Sequence, residues 1–216
     1  MSNEEIVTPR RLEGLIDGIF AFSMTLLVIF INVPEFHHLN SPLQLHNYLV
    51  EQWPQFVSYL VTFLLLANFW IIHHLISNRI GKTNYIHIWL NIFFVLFIVL
   101  LPFVSVILGD YPETWGSIFL LTINLIFINS FLLAIWLYSS HHKYLLKPDV
   151  DQKCIKFTTN QLLIGLFICL LGFIVSIVYL PIALYVYLLM PIFFTLYDIY
   201  YKKIYYRKYI LREKSS

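Results

Sequence analysis

Between Gln161 and Tyr201 the chain runs for 41 residues with a single charge, Asp198. A helix crossing a bilayer needs about 20 predominantly apolar residues, so this stretch alone suffices for two crossings. The remainder has the same character. Of 216 residues 59% are hydrophobic and only 12% charged, with a mean hydropathy of +0.75, whereas an ordinary soluble domain carries about 25% charged residues. A soluble globular fold is excluded, and an all-α polytopic membrane protein is expected.

Apolar windows give six candidate transmembrane helices: Leu12–Val33, Gln55–Ser77, Ile86–Leu108, Trp115–Tyr138, Asn160–Tyr179 and Pro181–Tyr201. Residues 1–216 are read as one six-helix repeat. Pro181 divides the long apolar run into a tight hairpin, because proline suits a first helical turn but breaks a helix interior. Pro191 is expected to kink the sixth helix for the same reason. The first apolar run lacks a small-residue cleavage site and follows Glu4 and Glu5, so it is expected to remain as a span.

All 14 basic residues fall in four segments. Arg10 and Arg11 precede the first helix, Arg79 and Lys82 join the second to the third, and Lys143, Lys147, Lys153 and Lys156 join the fourth to the fifth. The remaining six, from Lys202 to Lys214, follow the sixth. The opposite loops hold Glu35, Glu51, Asp110 and Glu113 and no Lys or Arg. The positive-inside rule therefore predicts both termini in the cytoplasm, and the cell membrane is the expected location.

With a net charge of only +2 there is no broad basic field, and nucleic acid is not an expected partner. Two differently placed cysteines, Cys154 and Cys169, do not form a disulfide framework. In the outer loop before the second helix, Ser41-Pro42-Leu43-Gln44 has the form of a capping box with proline at the first helical position. Leu45, Tyr48, Leu49 and Trp53 come next at helical spacing, which predicts a short interfacial helix. The aromatic and cationic tail from Tyr197 to Tyr209 has the composition of a membrane-boundary anchor.

Ionisable groups inside a membrane are costly, so they are the first place to look for function. Asp17 lies about five residues into the first helix, at roughly 1.5 Å per residue. His73 and His74 on the second helix, and Trp89 with Asn91 on the third, reach a similar depth. Arg11 is six residues away on the same helix, about 600° of rotation, and so leans to another face. Cross-helix partners are therefore expected for Asp17. Two readings stay open: a satisfied polar network that locks three helices together, or a path for protons. Phe22, Thr25, Leu26 and Ile29 share a face by their i, i+3, i+4, i+7 spacing. Such a stripe is usually packing, but it forms a hydrophobic constriction if several copies meet on a symmetry axis.

Three segments resemble the bacterial branch of the transmembrane protein 175 family of potassium-permeable channels. The family opens its first helix with a pattern of the form RxxxFSD; here Arg11 and Asp17 match its ends, while Leu15 and Ile16 stand at the phenylalanine and serine positions. Phe69, Trp70, His73 and His74 match an FWxxHH signature. Trp89, Leu90, Asn91, Leu101, Pro102 and Phe103 match a segment running from WLN to LPF. The resemblance implies a homotetramer whose four first helices line a pore without a carbonyl filter. It implies a constriction at Phe22, Leu26 and Ile29 with Thr25 as the selectivity position, backed by a structural network of Arg11, Asp17, Trp70, His73, His74, Trp89 and Asn91. Eukaryotic relatives contain two such repeats, and this chain shows one.

The function expected from these readings is a potassium-permeable cation leak channel with potassium ions and the lipid bilayer as partners. The alternatives are a proton-conducting channel or a secondary transporter using the Asp and His groups. No TVGYG run and no arginine-rich helix points to an ordinary potassium filter or a voltage sensor. An enzyme is not expected: Asp17 and Asp198 lack the GxGD motif of a two-carboxylate intramembrane protease. Nor is a metal or cofactor, since adjacent His73 and His74 point about 100° apart. Apart from Pro191, the broken helices and internal repeats usual in transporters are not evident.

Overall fold

The computed structural model describes residues 8–29, 31, 41–178 and 186–200. These form helices α1 (Pro9–Ile29), α2 (Pro42–Glu51), α3 (Trp53–Ser77), α4 (Tyr85–Asp110), α5 (Trp115–His141) and α6 (Gln152–Val178). A shorter apolar helix, α7 (Val186–Tyr200), comes after them. Among the described residues, α1, α3, α4, α5 and α6 are long and apolar enough to cross a membrane, with 21 to 27 residues each. At about 1.5 Å per residue they span about 32 to 41 Å, more than the ~30 Å hydrocarbon core. The expected sixth span is described over 186–200, with Pro191 inside the helix; its start at Pro181, the hairpin turn there and its end at Tyr201 lie outside the described residues. The expected ends of the first and fifth spans, Val33 and Tyr179, lie outside them too.

Local capping chemistry sets several helix ends. The Ser41 hydroxyl accepts from the Gln44 backbone N–H, and the Gln44 side chain accepts from the Ser41 N–H at 3.1 Å, closing the reciprocal box. Helix α2 buries none of its residues, in keeping with an interfacial position. Asn84 caps α4 by accepting from the His87 N–H at 2.9 Å. Asp151 does the same for α6 through the Cys154 N–H at 2.7 Å, so that helix begins at Gln152 rather than at Asn160. Hydropathy missed this first stretch because Gln152, Lys153 and Lys156 are polar, while helix formation there comes from the cap.

Helix α1 packs on α3 and α4, and α3 to α6 pack each on the next in chain order. Phe69, Phe94, Leu101, Leu125 and Trp136 are completely buried among them. Short polar ties cross the apolar contacts. Ser58 donates to the Ser105 carbonyl at 2.6 Å, and Gln55 donates to the Asp110 carboxylate at 2.9 Å. At the opposite end, Gly81 N–H and Lys82 N–H both donate to the Leu145 carbonyl, at 2.8 and 3.1 Å, and Lys147 N–H donates to the Arg79 carbonyl at 3.0 Å. The α3–α4 turn is thereby stitched to the α5–α6 loop. The Arg79 guanidinium lies 5.9 Å from the Trp136 ring centre and donates to Thr158 on α6.

Helix α7 seats two aromatic rings on glycines of α6. A Cβ at Gly165 would lie 2.6 Å from Phe194 Cζ, and a Cβ at Gly172 would collide with the Tyr187 ring. Tyr187, Met190 and Phe194 are buried, and the Tyr187 hydroxyl is hydrogen-bonded to Thr122 of α5. Small residues allow this close approach in a membrane, where packing rather than the hydrophobic effect holds helices together.

Candidate pore helix and the polar groups behind it

Helix α1 has two faces of opposite fate. Leu12, Ile16, Phe20, Ser23 and Leu27 are buried against α3 and α4. Arg11, Leu15, Gly18, Phe22, Thr25 and Ile29 are all exposed, and they recur at steps of four and three residues. That alternation averages 3.5 residues, so these side chains form one continuous exposed stripe along the helix. The expected constriction residues Phe22 and Ile29 are 61% and 70% exposed. Leu26 is half-buried at the margin of the stripe rather than on it. A Cβ at Gly14 or Gly18 would meet nothing within 4 Å, so the same surface has room for close approach. The exposed stripe thus extends back to Leu15 and Gly18, two positions the i, i+3, i+4, i+7 count did not reach.

Thr25 donates its hydroxyl proton to the Phe22 carbonyl at 2.8 Å. This turns the oxygen lone pairs away from the helix backbone, so the polar position between the apolar Phe22 and Ile29 presents acceptors. Acceptors suit a cation that must shed part of its hydration shell.

Behind this helix the intramembrane polar groups form two separate sets. Asp17 is exposed and accepts from Trp70 Nε1 on α3 at 2.9 Å. The Trp70 ring stacks on His74 with centroids 5.7 Å apart, and Asn78 donates to His74 Nε2 at 2.9 Å. The second set is buried. Asn91 Nδ2 donates to the His87 carbonyl at 2.8 Å, which turns Asn91 Oδ1 toward His73 Nε2, 2.9 Å away. His73 therefore carries its proton on Nε2, and its Nδ1 accepts from Ser77 at 3.5 Å. The His73 ring is stacked on Phe94 at 5.1 Å and 9°, and Phe94 in turn meets Phe20 of α1 at 6.0 Å.

The depth count thus brought Asp17 to the right level and missed its azimuth: its bond goes to Trp70, one turn from His74, and not to His73, His74, Asn91 or Trp89. Trp89 stands apart from both sets, 43% exposed on α4 with its ring beside Tyr85 and Phe93. Arg11 is exposed on the outward face of α1. His87, one turn before Asn91 on α4, supplies the carbonyl that orients Asn91.

Residues 11–102 match the model of a protein family described as the endosomal/lysosomal potassium channel TMEM175. A potassium channel of Chamaesiphon minutus is 25% identical over 195 residues, covering 86% of this chain and 93% of the relative. One of Streptomyces collinus is 25% identical over 159 residues, covering 72% and 76%. The endosomal/lysosomal proton channel TMEM175 of Homo sapiens is 24% identical over 196 residues, or 88% of this chain and 38% of that longer protein. In fold, the chain is similar to the crystal structure of a lysosomal potassium-selective channel TMEM175 homolog from Chamaesiphon minutus. The TM-score is 0.73 at 22% identity, with 87% and 96% of the two chains covered.

Proposed function

We propose that this chain, whose residues 11–102 match the TMEM175 family model, is a member of that family and a potassium-permeable cation leak channel of the cell membrane, with both termini cytoplasmic and six helices per subunit. In this reading residues 1–216 form one channel repeat, four copies assemble, and the α1 helices line the pore. The observation that carries it is the bare stripe on α1, whose period of 3.5 residues suits helices meeting around a common axis. The C. minutus and S. collinus relatives, both named potassium channels, support the choice of ion.

Conduction then rests on the chemistry of the stripe. Phe22 and Ile29, with Leu26 at their flank, form an apolar constriction that a hydrated ion passes only by losing water, so the ring gates by dewetting. Thr25 lies between those layers and supplies acceptor oxygens where the ion is least hydrated. Asp17, held by Trp70, places a carboxylate at one end of the stripe and raises the local concentration of cations. The network of His73 and Asn91 braces α3 against α4 behind the pore helix.

The test is potassium flux into liposomes holding the purified chain and its Phe22→Ala variant, with sodium and protonophore controls. Removing four phenyl rings from the narrowest layer is expected to raise potassium flux severalfold. Equal flux from both forms would remove Phe22 from the gate, and no flux from either folded form would overturn the channel. A second reading, proton conduction, is favoured by the name of the human relative. Acidification of the vesicles without potassium entry is the outcome that selects it.

A further inference from the structure

We propose that the α4–α5 groove binds an anionic phospholipid, with the phosphate held by Lys82, Lys143 and Lys147 and the acyl chains laid along a ladder of aromatic rings. The ladder begins at Tyr85 and continues through Trp89 and Phe93 on successive turns of α4, with centroids 6.1 and 5.9 Å apart. Phe93 stacks on Phe131 of α5 at 5.6 Å, and Phe97 stacks on Phe127 at 4.5 Å. Tyr85, Trp89, Phe93 and Phe127 are exposed, so the ladder faces outward rather than into the bundle. From Tyr85 to Phe97 the rise is about 18 Å, close to the ~15 Å of one leaflet's hydrocarbon.

At the head of the ladder the stitched loops gather charge. Lys82, Lys143 and Lys147 are exposed there, and the Lys147 side chain lies against Gly81, where a Cβ would meet its Cγ at 3.3 Å. Tyr144 accepts from Asn84 at 2.8 Å, which directs its own O–H proton elsewhere. Two carboxylates, Asp149 and Asp151, share this loop, the latter accepting the Cys154 N–H, so the three ammonium groups still leave the patch net positive. Cations at the depth of the headgroups with an apolar track of leaflet length complement an anionic lipid and not a soluble phosphate, which would have no use for the track. The inference needs only a membrane-embedded chain and does not depend on ion permeation.

Native mass spectrometry of the intact purified assembly, titrated with phosphatidylglycerol or phosphatidylcholine, tests it. Phosphatidylglycerol is expected to be retained at least ~10-fold more tightly. Each lysine is worth about fivefold for an anionic headgroup, so Lys82→Gln/Lys143→Gln/Lys147→Gln should lose at least ~10-fold for phosphatidylglycerol and leave phosphatidylcholine unchanged. Trp89→Ala/Phe93→Ala should weaken both lipids. Equal retention of the two lipids by the native chain overturns the proposal, as does undiminished phosphatidylglycerol binding in the lysine variant. Retention of both lipids unaltered in the aromatic variant, as when a neighbouring subunit covers the ladder, overturns it as well.

Discussion

Replacing His73 with leucine probes the buried set directly. The side chain is 3% exposed, bonds to Asn91 at 2.9 Å and stacks on Phe94. Interhelical hydrogen bonds in membranes average only about 0.6 kcal/mol and reach about 1.7. The lost bond alone is therefore a small effect. The larger cost is the orphaned Asn91 Oδ1, about 1–3 kcal/mol for a buried unpaired acceptor, together with about 0.5–1.5 kcal/mol of ring stacking. A loss of about 2–4 kcal/mol is expected for His73→Leu. Asn91→Leu on the same background removes the orphan, and the His87 carbonyl it releases keeps its helical partner. The double variant should therefore recover at least ~1 kcal/mol relative to the sum of the singles. Reversible unfolding in mixed micelles, monitored by circular dichroism, reads all four corners of this cycle. Additive losses, or a single-variant loss below about 0.5 kcal/mol, would refute the assignment of His73 and Asn91 as one buried unit.

Two further outcomes are expected from the packing and from the stripe. Gly165→Leu places a side chain where Phe194 Cζ already lies within 2.6 Å of the Cβ position, so α7 should be displaced with a loss of about 1–3 kcal/mol, measured by the same unfolding assay and by proteolysis at the α6–α7 junction; unchanged stability and protection would contradict the seating of α7. Thr25→Val keeps the shape of the side chain and removes the acceptor oxygen, so potassium-over-sodium preference in the flux assay should fall while total flux persists; an unaltered ratio would take Thr25 out of the selectivity layer.

Hydropathy made the five long spans legible, because about 20 apolar residues have few alternatives to crossing a bilayer. The Ser41 box was legible for a different reason: capping is local, and all its partners lie within three residues. Rotation about each helix axis was not legible. Asp17 and His73 share a depth, yet the carboxylate turns to the long indole of Trp70 while the imidazole turns to Asn91. Trp89, at the same level again, faces outward. The start of α6 was hidden by Lys153 and Lys156, which dilute the apolar signal although Asp151 begins the helix. The paired glycines Gly165 and Gly172, seven residues apart, were a readable signal of a close helix contact that an apolar count ignores. The outward stripe on α1 was half legible: its period was plain, but only the burial of Leu12, Ile16, Phe20 and Leu27 distinguishes the packed side from the bare one.

The stitch between the two loops also fixes an order of assembly. Arg79, Gly81 and Lys82 emerge from the ribosome roughly 65 residues before Leu145 and Lys147, a wait of about 3–13 s at about 5–20 residues per second. Until then the α3–α4 hairpin has no hold on the later helices. When the α5–α6 loop arrives, three backbone bonds and the Arg79 side chain close on it together. The joint thus serves as a late latch on membrane insertion: it can fasten only if both hairpins have been threaded with their turns on the same side, and a hairpin inserted upside down has nothing to fasten to.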